Sequence, residues 1–235
     1  MQQPVHVVIV PDGNRRWAKN NGLLPQQGHI EGAKISTAIL EKALELNIPH
    51  LTLWGSSVSN LTNRTKLEIE VLCQVFSEWF EKLLNHPKIH ERKVKVDILG
   101  RWRDLLPKSL TQLFENIIEK TQDRTGPRLT FLMGYDGRDE MVDAAKKIAQ
   151  SAQLNPEGFE ISYETIKQNL WTHDLPPVDL VIRTGGEPHW SAGLMMWDVA
   201  EAQLHFTPTL WPAFTPEEFE KIIEETRSHE RRLGK

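Results

Sequence analysis

Residues 7–17 read VVIVPDGNRRW, a short apolar run that ends in a carboxylate followed by two cations. The apolar segment from Val5 to Val10 has the length of a buried strand, and Gly13 and Asn14 can open a helix directly after it. The start of such a helix presents backbone N–H groups to an anion. We therefore expect Asp12 at the carboxyl end of a strand, as a ligand for a metal ion beside phosphate groups. An ordinary capped turn between strand and helix explains the same residues, so the other segments must decide.

The composition favours one globular domain that does not bind nucleic acid. A chain of 235 residues can bury a sizeable core, and no segment rich in Pro, Gly and Ser divides it. We expect a single domain over residues 1–235. The formal net charge is −4, and the Lys and Arg residues are scattered rather than gathered into the basic patch of a nucleic-acid-binding protein. Any recognition of phosphate is therefore expected to be local.

The cysteine content and the apolar segments indicate a cytoplasmic protein. Cys73 is the only cysteine, so the chain has no intrachain disulfide, as is typical of a reducing compartment. No N-terminal segment resembles a signal peptide, and no apolar run reaches about 18 residues, the length of a membrane-spanning helix. We expect at most peripheral contact with a membrane.

Strand-like and helical segments alternate along the chain, which predicts an α/β fold with a mostly parallel central sheet flanked by helices. We expect strands at Val5 to Val10, His50 to Trp54, Val94 to Leu99, Arg128 to Met133 and Leu180 to Ile182. We expect helices at Glu31 to Leu46, Lys66 to Leu84, Lys108 to Thr121, Arg138 to Ser151, Ser162 to Leu170 and Pro216 to Arg227. Ligands of such sheets bind at the carboxyl ends of the strands, where Asp12, Ser56 and Arg183 should meet.

Two further polar segments follow predicted strands. Residues 54–64 are crowded with Ser, Thr and Asn and end in Arg64, so they can donate hydrogen bonds to phosphate oxygens. Residues 179–191 pass from an apolar strand into Arg183, Thr184 and two glycines, and those glycines let the backbone approach an anion closely. Taken singly, the first segment is more typical of a solvated loop, and a glycine turn with a surface arginine also explains the second.

The predicted helix from Lys66 to Leu84 carries a wide apolar face that includes Phe76, Trp79 and Phe80. Packing against the core explains such a face. A hydrophobic substrate channel would use the same residue types, and the sequence does not separate the two explanations.

These motifs, taken in order, resemble the cis-prenyltransferases, the family of undecaprenyl diphosphate synthase. The resemblance runs from His6 to Gly234. Its motifs are His6 to Trp17, Gly28 to Gly32, Leu51 to Leu53, Gly137 to Glu140, Leu180 to Glu187, Leu210 to Phe214 and Arg231 to Gly234. It implies an α/β homodimer with a hydrophobic tunnel for a growing isoprenoid chain, Mg²⁺ as cofactor and prenyl diphosphates as substrates.

The resemblance also implies roles for individual residues. Asp12 corresponds to the carboxylate that handles Mg²⁺ and the allylic diphosphate, and Gln203 aligns with a second metal ligand. The expected catalytic residues are Asp12, Asn14, His29 and Asn60. The expected substrate-binding residues are Gly13, Arg15, Arg16, Trp17, Ser57, Arg64, Arg183, Gly186, His189 and Ser191. The terminal Arg231 to Gly234 resembles a tail that reaches the site of the partner subunit.

The chain departs from the family pattern mainly at positions implied to bind isopentenyl diphosphate. Pro25 and His189 replace arginines, and Gln203 replaces a glutamate unless Glu201 takes its place. Ser59 and Leu61 replace a glutamate and a tryptophan.

Three functions remain open. The first is the condensation of an allylic diphosphate with isopentenyl diphosphate to a (Z)-prenyl diphosphate of short to medium length, with Phe131 filling the far end of the tunnel. The second is irregular coupling of two allylic diphosphates, or the use of another acceptor. The third is a non-catalytic subunit, and the retention of Asp12 counts against it.

Overall fold

A computed structural model describes residues 4–154 and 159–228, and these residues are built around one sheet of six parallel strands. The strands are β1 (His6–Val10), β2 (His50–Trp54), β3 (Lys95–Leu99), β4 (Arg128–Leu132), β5 (Leu180–Arg183) and β6 (Gln203–Phe206). Their order across the sheet is β3-β4-β2-β1-β5-β6. Every pairing is parallel. The predicted α/β class is confirmed, and the sheet is parallel throughout rather than mostly so.

Ten α-helices are described. They are α1 (Asn14–Asn20), α2 (Pro25–Glu45), α3 (Val58–Thr62), α4 (Lys66–Leu84), α5 (Pro87–Glu91), α6 (Trp102–Leu105), α7 (Lys108–Thr121), α8 (Gly137–Leu154), α9 (Tyr163–Asn169) and α10 (Pro216–Ser228). A short 3-10 helix, Trp211–Ala213, precedes α10.

Two segments differ from the sequence-based expectation for clear physical reasons. Helix α2 begins six residues before the predicted Glu31, because Pro25 suits the first position of a helix and the Gln27 side chain accepts the Leu24 N–H at 2.9 Å. Strand β6 was not predicted. It is short, it lies at the edge of the sheet, and its residues alternate between half-buried and exposed, so it lacks the continuous apolar run of the buried strands.

Side chains of the strands alternate between two hydrophobic cores, one on each face of the sheet. Val7 and Ile9 point into the larger core, together with residues of α2, α4, α7 and α10. Val8 and Val10 point into the smaller core, which contains residues from the segments 170–178 and 194–199. The loops that leave the strand ends therefore rest on packed structure on both sides.

The sheet order brings the three polar segments together. Strand β1 lies between β2 and β5, so Arg183 at the end of β5, Asp12 just after β1 and Ser56 just after β2 lie at the same end of the sheet. This confirms that the chain places these segments side by side at the carboxyl ends of its strands.

Two sequence-based expectations concern membrane-spanning helices and the C-terminal tail. In residues 4–154 and 159–228, no helix has the length and apolar character needed to cross a bilayer. The tail from Arg231 to Gly234 lies outside the described residues.

We predict that His6 makes the fold sensitive to mild acid. His6 is fully buried, its Nδ1–H donates to Pro176 O at 2.9 Å and its Nε2 accepts from Thr52 Oγ1 at 2.8 Å. Burial lowers its pKa from 6.5 to about 4. The unfolded chain therefore takes up a proton at a higher pH than the folded chain does, so this stabilisation is complete above pH 6.5 and is lost as the pH falls towards 4. Between pH 7 and pH 5 the loss should be about 2 kcal/mol.

Urea unfolding at the two pH values, for the natural chain and for His6→Gln, measures this contribution. The variant should lose less stability on acidification than the natural chain does. His90→Gln, at an exposed position, is the control and should keep the natural pH dependence. Equal pH dependence in all three chains would contradict the prediction.

Candidate active site

A cavity of about 650 Å³ lies at the carboxyl ends of β1, β2 and β5, on the face of the sheet that carries α2 and α4. Its outer part is polar and its inner part is apolar. Asp12, Arg16 and Arg183 line the polar part, whereas Trp79 and Phe131 line the apolar part. The site therefore combines charged groups with a hydrophobic recess.

Asp12 is fixed through its backbone. Its N–H donates to Thr184 Oγ1 at 2.9 Å, and the Thr184 hydroxyl donates to the Asp12 carbonyl at 2.8 Å. The Trp211 N–H donates to the same carbonyl at 2.9 Å. Gly13 follows with φ of +108°, a conformation that glycine adopts without strain and that turns the chain into α1. These contacts hold the carboxylate at the mouth of the cavity.

Two arginines contact the Asp12 carboxylate. Arg183 Nη2 donates to Oδ2 at 2.8 Å, and Arg16 Nη2 lies 3.2 Å from Oδ1. The side chain of Arg183 is only 7% exposed, so its charge needs this partner, whereas Arg16 is 44% exposed. Arg16 also pairs with Glu187 at 3.4 Å. The carboxylate and the two guanidinium groups form one charged cluster.

Arg183 also organises the loop that follows β5. Its Nη1 donates to His189 O at 2.9 Å and to the Ser191 hydroxyl. Its Nε is buried and has no hydrogen-bond partner within the described residues. A buried donor without a partner is costly in a folded protein, so the geometry is suited to an additional acceptor such as a phosphate oxygen.

The double glycine after Arg183 permits this close packing. Gly185 has φ of +89°, and a Cβ there would lie 2.6 Å from Arg16 Nη2. Its N–H donates to Thr209 O at 2.8 Å. The close neighbour of Gly185 is thus the Arg16 guanidinium, and the approach of an anion to these glycines stays a prediction.

A second group of cations lies beside the cluster. Arg64 is half-buried and makes no hydrogen bond or ion pair within the described part of the chain. Burial, and then the neighbouring charge of Arg15, lower its pKa. Burial, followed by Arg64 and Arg15, also lowers the pKa of His29 to about 4. His29 is thus neutral near pH 7, and the surplus positive charge at this side of the cavity favours an anion.

Asn14 presents an acceptor that no protein group satisfies. Its Oδ1 is buried and has no hydrogen-bond partner in the described ranges. The side chain fits only because residue 32 is glycine, since a Cβ at Gly32 would lie 2.2 Å from Asn14 Oδ1. A Cβ at Gly28 would lie 2.1 Å from the Asn14 carbonyl oxygen. The motif Gly28 to Gly32 therefore lets α1 rest directly on α2.

Ser57 is the N-cap of α3 and Asn60 lies within this helix, in a segment that the sequence predicted as a loop. The Asn60 N–H donates to Ser57 Oγ at 3.0 Å, and the Ser57 N–H donates to Asn60 Oδ1 at 3.4 Å. This reciprocal capping explains why so polar a segment forms a helical turn. The hydroxyl groups of Ser57 and Ser59 are 2.9 Å apart, and both residues line the cavity.

Most of the predicted site residues meet at this cavity. Those lining it are Asp12, Gly13, Asn14, Arg15, Arg16, His29, Ser57, Asn60, Arg64, Arg183, His189 and Ser191. Trp17 and Gly186 do not line it. Gln203 begins β6 opposite Leu180, at the amino end of the strands, so this chain by itself does not bring Gln203 to Asp12, and its metal-binding role stays a prediction.

The sequence reasoning gave no role to Thr184, Glu187 or Trp211, although Thr184 and Trp211 hold Asp12 and Glu187 holds Arg16. All three lie inside motifs that were recognised. Their positions near Arg183 and in the Leu210 to Phe214 motif were the only sign of a role in the site. The residues that they contact are distant in sequence, so these contacts could not be predicted.

The inner part of the cavity ends in aromatic side chains. The rings of Phe131 and Phe80 are 4.7 Å apart, and those of Phe131 and Trp79 are 5.2 Å apart. Helix α4 contributes Leu72, Val75, Phe76, Trp79 and Phe80 to this wall. Leu83, on the same helix, is buried in the core. The apolar face of α4 thus both packs the core and lines the recess.

The acidic groups of the site fit a magnesium ion that arrives with a diphosphate. In residues 4–154 and 159–228 no cluster of three or more His, Cys, Asp or Glu residues can hold a metal ion. Asp12 supplies one carboxylate, and both of its oxygens contact arginines. Mg²⁺ commonly takes one or two carboxylates together with phosphate oxygens and water, so Asp12 is sufficient when a substrate supplies the remaining ligands.

Comparisons with known proteins agree with this site. Residues 10–234 match the family model described as putative undecaprenyl diphosphate synthase. The chain is 37% identical over 235 residues to a tritrans,polycis-undecaprenyl-diphosphate synthase (geranylgeranyl-diphosphate specific) of Pyrococcus horikoshii, covering 99% of this chain and 87% of that one. It is 36% identical over 235 residues to an isoprenyl transferase of Aquifex aeolicus, covering 100% and 97%.

A solved structure is similar over its whole length. The crystal structure of lavandulyl diphosphate synthase from Lavandula x intermedia, in complex with dimethylallyl diphosphate, superposes with a TM-score of 0.93 at 28% sequence identity and covers 99% of each chain. Sequence and fold therefore point to the same group of proteins.

We predict that Arg64 serves anion binding rather than folding. Arg64→Gln should leave the thermal unfolding temperature unchanged, because Arg64 makes no hydrogen bond or ion pair in the described residues. The same variant should weaken the binding of pyrophosphate by roughly ten- to a hundredfold, as expected for one charged hydrogen bond. Isothermal titration with inorganic pyrophosphate measures the affinity.

Arg103→Gln is the matched control. Arg103 lies 3.8 Å from the Trp102 ring centre and pairs with Glu115, away from the cavity. It should keep the natural affinity for pyrophosphate. An unchanged affinity in Arg64→Gln would remove Arg64 from the anion site.

Proposed function

We propose, since the chain belongs to the undecaprenyl diphosphate synthase family of prenyltransferases, that it condenses an allylic diphosphate with isopentenyl diphosphate into a (Z)-prenyl diphosphate. The observation that supports this proposal is the lining of the cavity. Its mouth presents Asp12, Arg16, Arg64 and Arg183, and its inner wall is apolar. A prenyl diphosphate has the same two parts, an anionic head and a hydrocarbon chain.

The proposed reaction begins with cleavage of the C1–O bond of the allylic substrate, which leaves an allylic cation and pyrophosphate. The negative charge grows on the leaving group, so donors that already point at it lower the barrier. Arg16, Arg64 and the N–H groups that open α1 are placed for this purpose at the proposed donor side. Neutral His29 can donate a hydrogen bond there without adding charge.

The second step is attack of the isopentenyl double bond on C1 of the cation, followed by transfer of a C2 proton from the acceptor to the pyrophosphate released in the first step. We assign the acceptor diphosphate to the side of Arg183 and Ser191, where the buried Nε of Arg183 has no acceptor among the described residues. Mg²⁺, if bound by both Asp12 and a diphosphate, would neutralise negative charge on the leaving group. The apolar wall keeps water from the cation.

The proposed product is short to medium in length. Phe131 is 3% exposed, and its ring closes the recess together with Phe80 and Trp79. Burial of hydrocarbon contributes about 0.8 kcal/mol of binding free energy per CH₂. The growing isoprenoid chain is therefore bound more tightly with each unit until its end meets these rings. Further extension then requires a side chain to move.

A second candidate function has a specific observation behind it. The positions that correspond to acceptor-binding arginines hold Pro25 and His189, and the His189 side chain is 59% exposed and lies 3.8 Å from Glu187. The similar structure is named lavandulyl diphosphate synthase and contains dimethylallyl diphosphate. Coupling of two allylic diphosphates, or another acceptor, is therefore the alternative to be tested.

The assembly of the protein stays a prediction. The expected homodimer needs an apolar surface, and the exposed side chains of Leu204 and Phe206 on the edge strand β6 provide one part of such a surface. Cytoplasmic location likewise stays an expectation from the sequence.

The decisive experiment is product analysis with defined substrates. The purified protein is incubated with Mg²⁺ and dimethylallyl, geranyl, farnesyl or geranylgeranyl diphosphate, each with and without isopentenyl diphosphate. Product that requires isopentenyl diphosphate supports the condensation. Product formed without it supports the alternative, and no product from any pair rejects both.

We predict that Asp12→Asn lowers the rate of product formation by at least about a hundredfold, comparable to the loss of one group that stabilises charge in the transition state. The asparagine keeps the size of the side chain but removes the counter-charge of Arg183 and Arg16. The rate is measured at saturating Mg²⁺ and substrates.

Asp104→Asn is the control for Asp12. Asp104 is an exposed carboxylate, 68% accessible, that pairs with Arg101 and does not line the cavity. It should leave the rate unchanged. Natural turnover in Asp12→Asn would show that the metal and the diphosphate are held elsewhere.

We predict that Phe131→Ala lengthens the product by one or more isoprene units, because the shortened side chain opens the end of the recess. Phe114→Leu is the control, since Phe114 is fully buried behind Phe80 and does not line the cavity. Mass spectrometry of the products measures the length. The same product length in all three chains would place the end of the tunnel elsewhere.

A further inference from the structure

A buried polar network lies on the face of the sheet opposite the cavity, inside the smaller hydrophobic core. Its centre is Tyr135, fully buried, whose hydroxyl donates to Glu140, which is 2% exposed. Glu140 Oε1 also accepts the Thr172 N–H at 3.0 Å. Neither Tyr135 nor Glu140 lines the cavity, and the reaction proposed above uses neither.

The backbone of Tyr135 contacts the loop on the proposed donor side. Its N–H donates to Ser56 O at 3.1 Å, and its carbonyl accepts from the Val58 N–H at 3.4 Å. These bonds form a parallel bridge between Ser57 and Tyr135. Ser57 in turn caps α3 and lines the cavity. The main chain of Tyr135 therefore supports the segment that carries Ser57 and Asn60.

The side chain of Tyr135 contacts the loop on the proposed acceptor side. Its oxygen accepts the Met195 N–H at 3.1 Å. One residue earlier, the Leu194 N–H donates to Ser191 O at 3.0 Å. Ser191 is the residue whose hydroxyl meets Arg183. One side chain oxygen thus links the buried network to the loop at Arg183.

The start of α8 supports the same loop. The Gly137 N–H donates to Ala192 O at 2.8 Å, and a Cβ at Gly137 would lie 1.8 Å from Gly193 O. Two hydrogen bonds therefore hold the loop on residues 135–137, one from the Gly137 N–H to Ala192 O and one from the Met195 N–H to the Tyr135 hydroxyl. Only the one to Met195 depends on a side chain.

The hydroxyl of Tyr135 both donates and accepts a hydrogen bond. It gives its proton to Glu140 and accepts from Met195, and burial raises the pKa of Tyr135, so the proton stays on the phenol. Burial also raises the pKa of Glu140. A polar group left without a partner at this depth is costly, so the network has one favourable arrangement.

We infer that Tyr135 is a positioning residue that fixes the proposed acceptor loop, residues 187–196, relative to the donor loop, residues 55–64, and that Glu140 orients its hydroxyl. The inference rests on the proposed condensation, because only a two-substrate reaction makes the spacing of the two loops matter. Tyr135 touches no substrate in this arrangement and acts through Ser191 and Arg183.

Tyr135→Phe tests the inference with the smallest possible change. The ring and its edge contacts with Trp54 and Trp171 remain, and the backbone bonds to the donor loop remain as well. The variant should raise the KM for isopentenyl diphosphate by about tenfold, the ratio that corresponds to the loss of one buried hydrogen bond. The KM for the allylic diphosphate and kcat at saturation should stay unchanged. Hydrogen exchange at the Met195 amide should become faster.

Trp171→Phe is the matched control. It removes a hydrogen bond, Trp171 Nε1 to Asp143 Oδ2 at 2.8 Å, from a ring that packs on Tyr135 but does not contact the acceptor loop through that bond. Both KM values should stay at their natural level. Equal changes of both KM values in Tyr135→Phe, or no change in either, would overturn the inference and leave Tyr135 a structural residue.

Glu140 provides a second test with a conservative rescue. Glu140→Ala should reproduce the selective rise in the KM for isopentenyl diphosphate, whereas Glu140→Gln, which keeps one acceptor oxygen for one of the two donors, Tyr135 and Thr172, should give a smaller rise. Equal KM values in the two variants would exclude Glu140 from this role.

A failure of the proposed condensation has a different readout. If the natural chain forms no product that requires isopentenyl diphosphate, the KM for this substrate cannot be measured for the natural chain or for any variant. In that case Met195 exchange in Tyr135→Phe still reports whether the side chain holds the loop, and unchanged exchange overturns the inference.

Discussion

The ion pair between Arg183 and Asp12 is the contact on which the site depends. The two residues end neighbouring strands, and the register pairs Val10 with Arg183. An arginine that is 7% exposed is tolerated only when an anion faces it, because the desolvation of an unpaired charge is large. Asp12 therefore balances a buried cation before any ligand is present. In the proposed reaction, a diphosphate bound at Arg183 would bring its own negative charge and would leave the Asp12 carboxylate available to a metal ion.

The same cavity must accept charge at one end and exclude water at the other. At the mouth, Arg64 and Arg15 lie close together without a buried carboxylate between them, and this repulsion is relieved when an anion binds. At the inner end, Phe131, Phe80 and Trp79 meet edge to face, a favourable arrangement of aromatic rings. Helix α4 joins the two ends, since its first turn contributes Glu68, near Arg15, and its last turns contribute the rings.

Much of this arrangement could be predicted because it is local or follows from parallel strands. The run from Val7 to Trp17 encodes a buried strand, a turn and a helix start, and the parallel sheet then brings Ser57 and Arg183 to the same edge. The edge strand β6 could not be predicted, because it has only four residues and its apolar side chains, Leu204 and Phe206, are the exposed ones. The fold of α3 was missed since its stability comes from reciprocal side-chain caps rather than from an apolar face.

The contacts that escaped prediction share a further property, namely that their partners are far apart in sequence. Tyr135 meets Met195 across 60 residues, and Thr184 meets Asp12 across 172 residues. Each joins the end of one strand to a loop that follows another, so neither has a periodic pattern to reveal it. The strands position the charged residues that follow them, and these long-range hydrogen bonds position the loops. In the proposed two-substrate reaction, the spacing of the substrates would therefore depend on residues that contact neither of them.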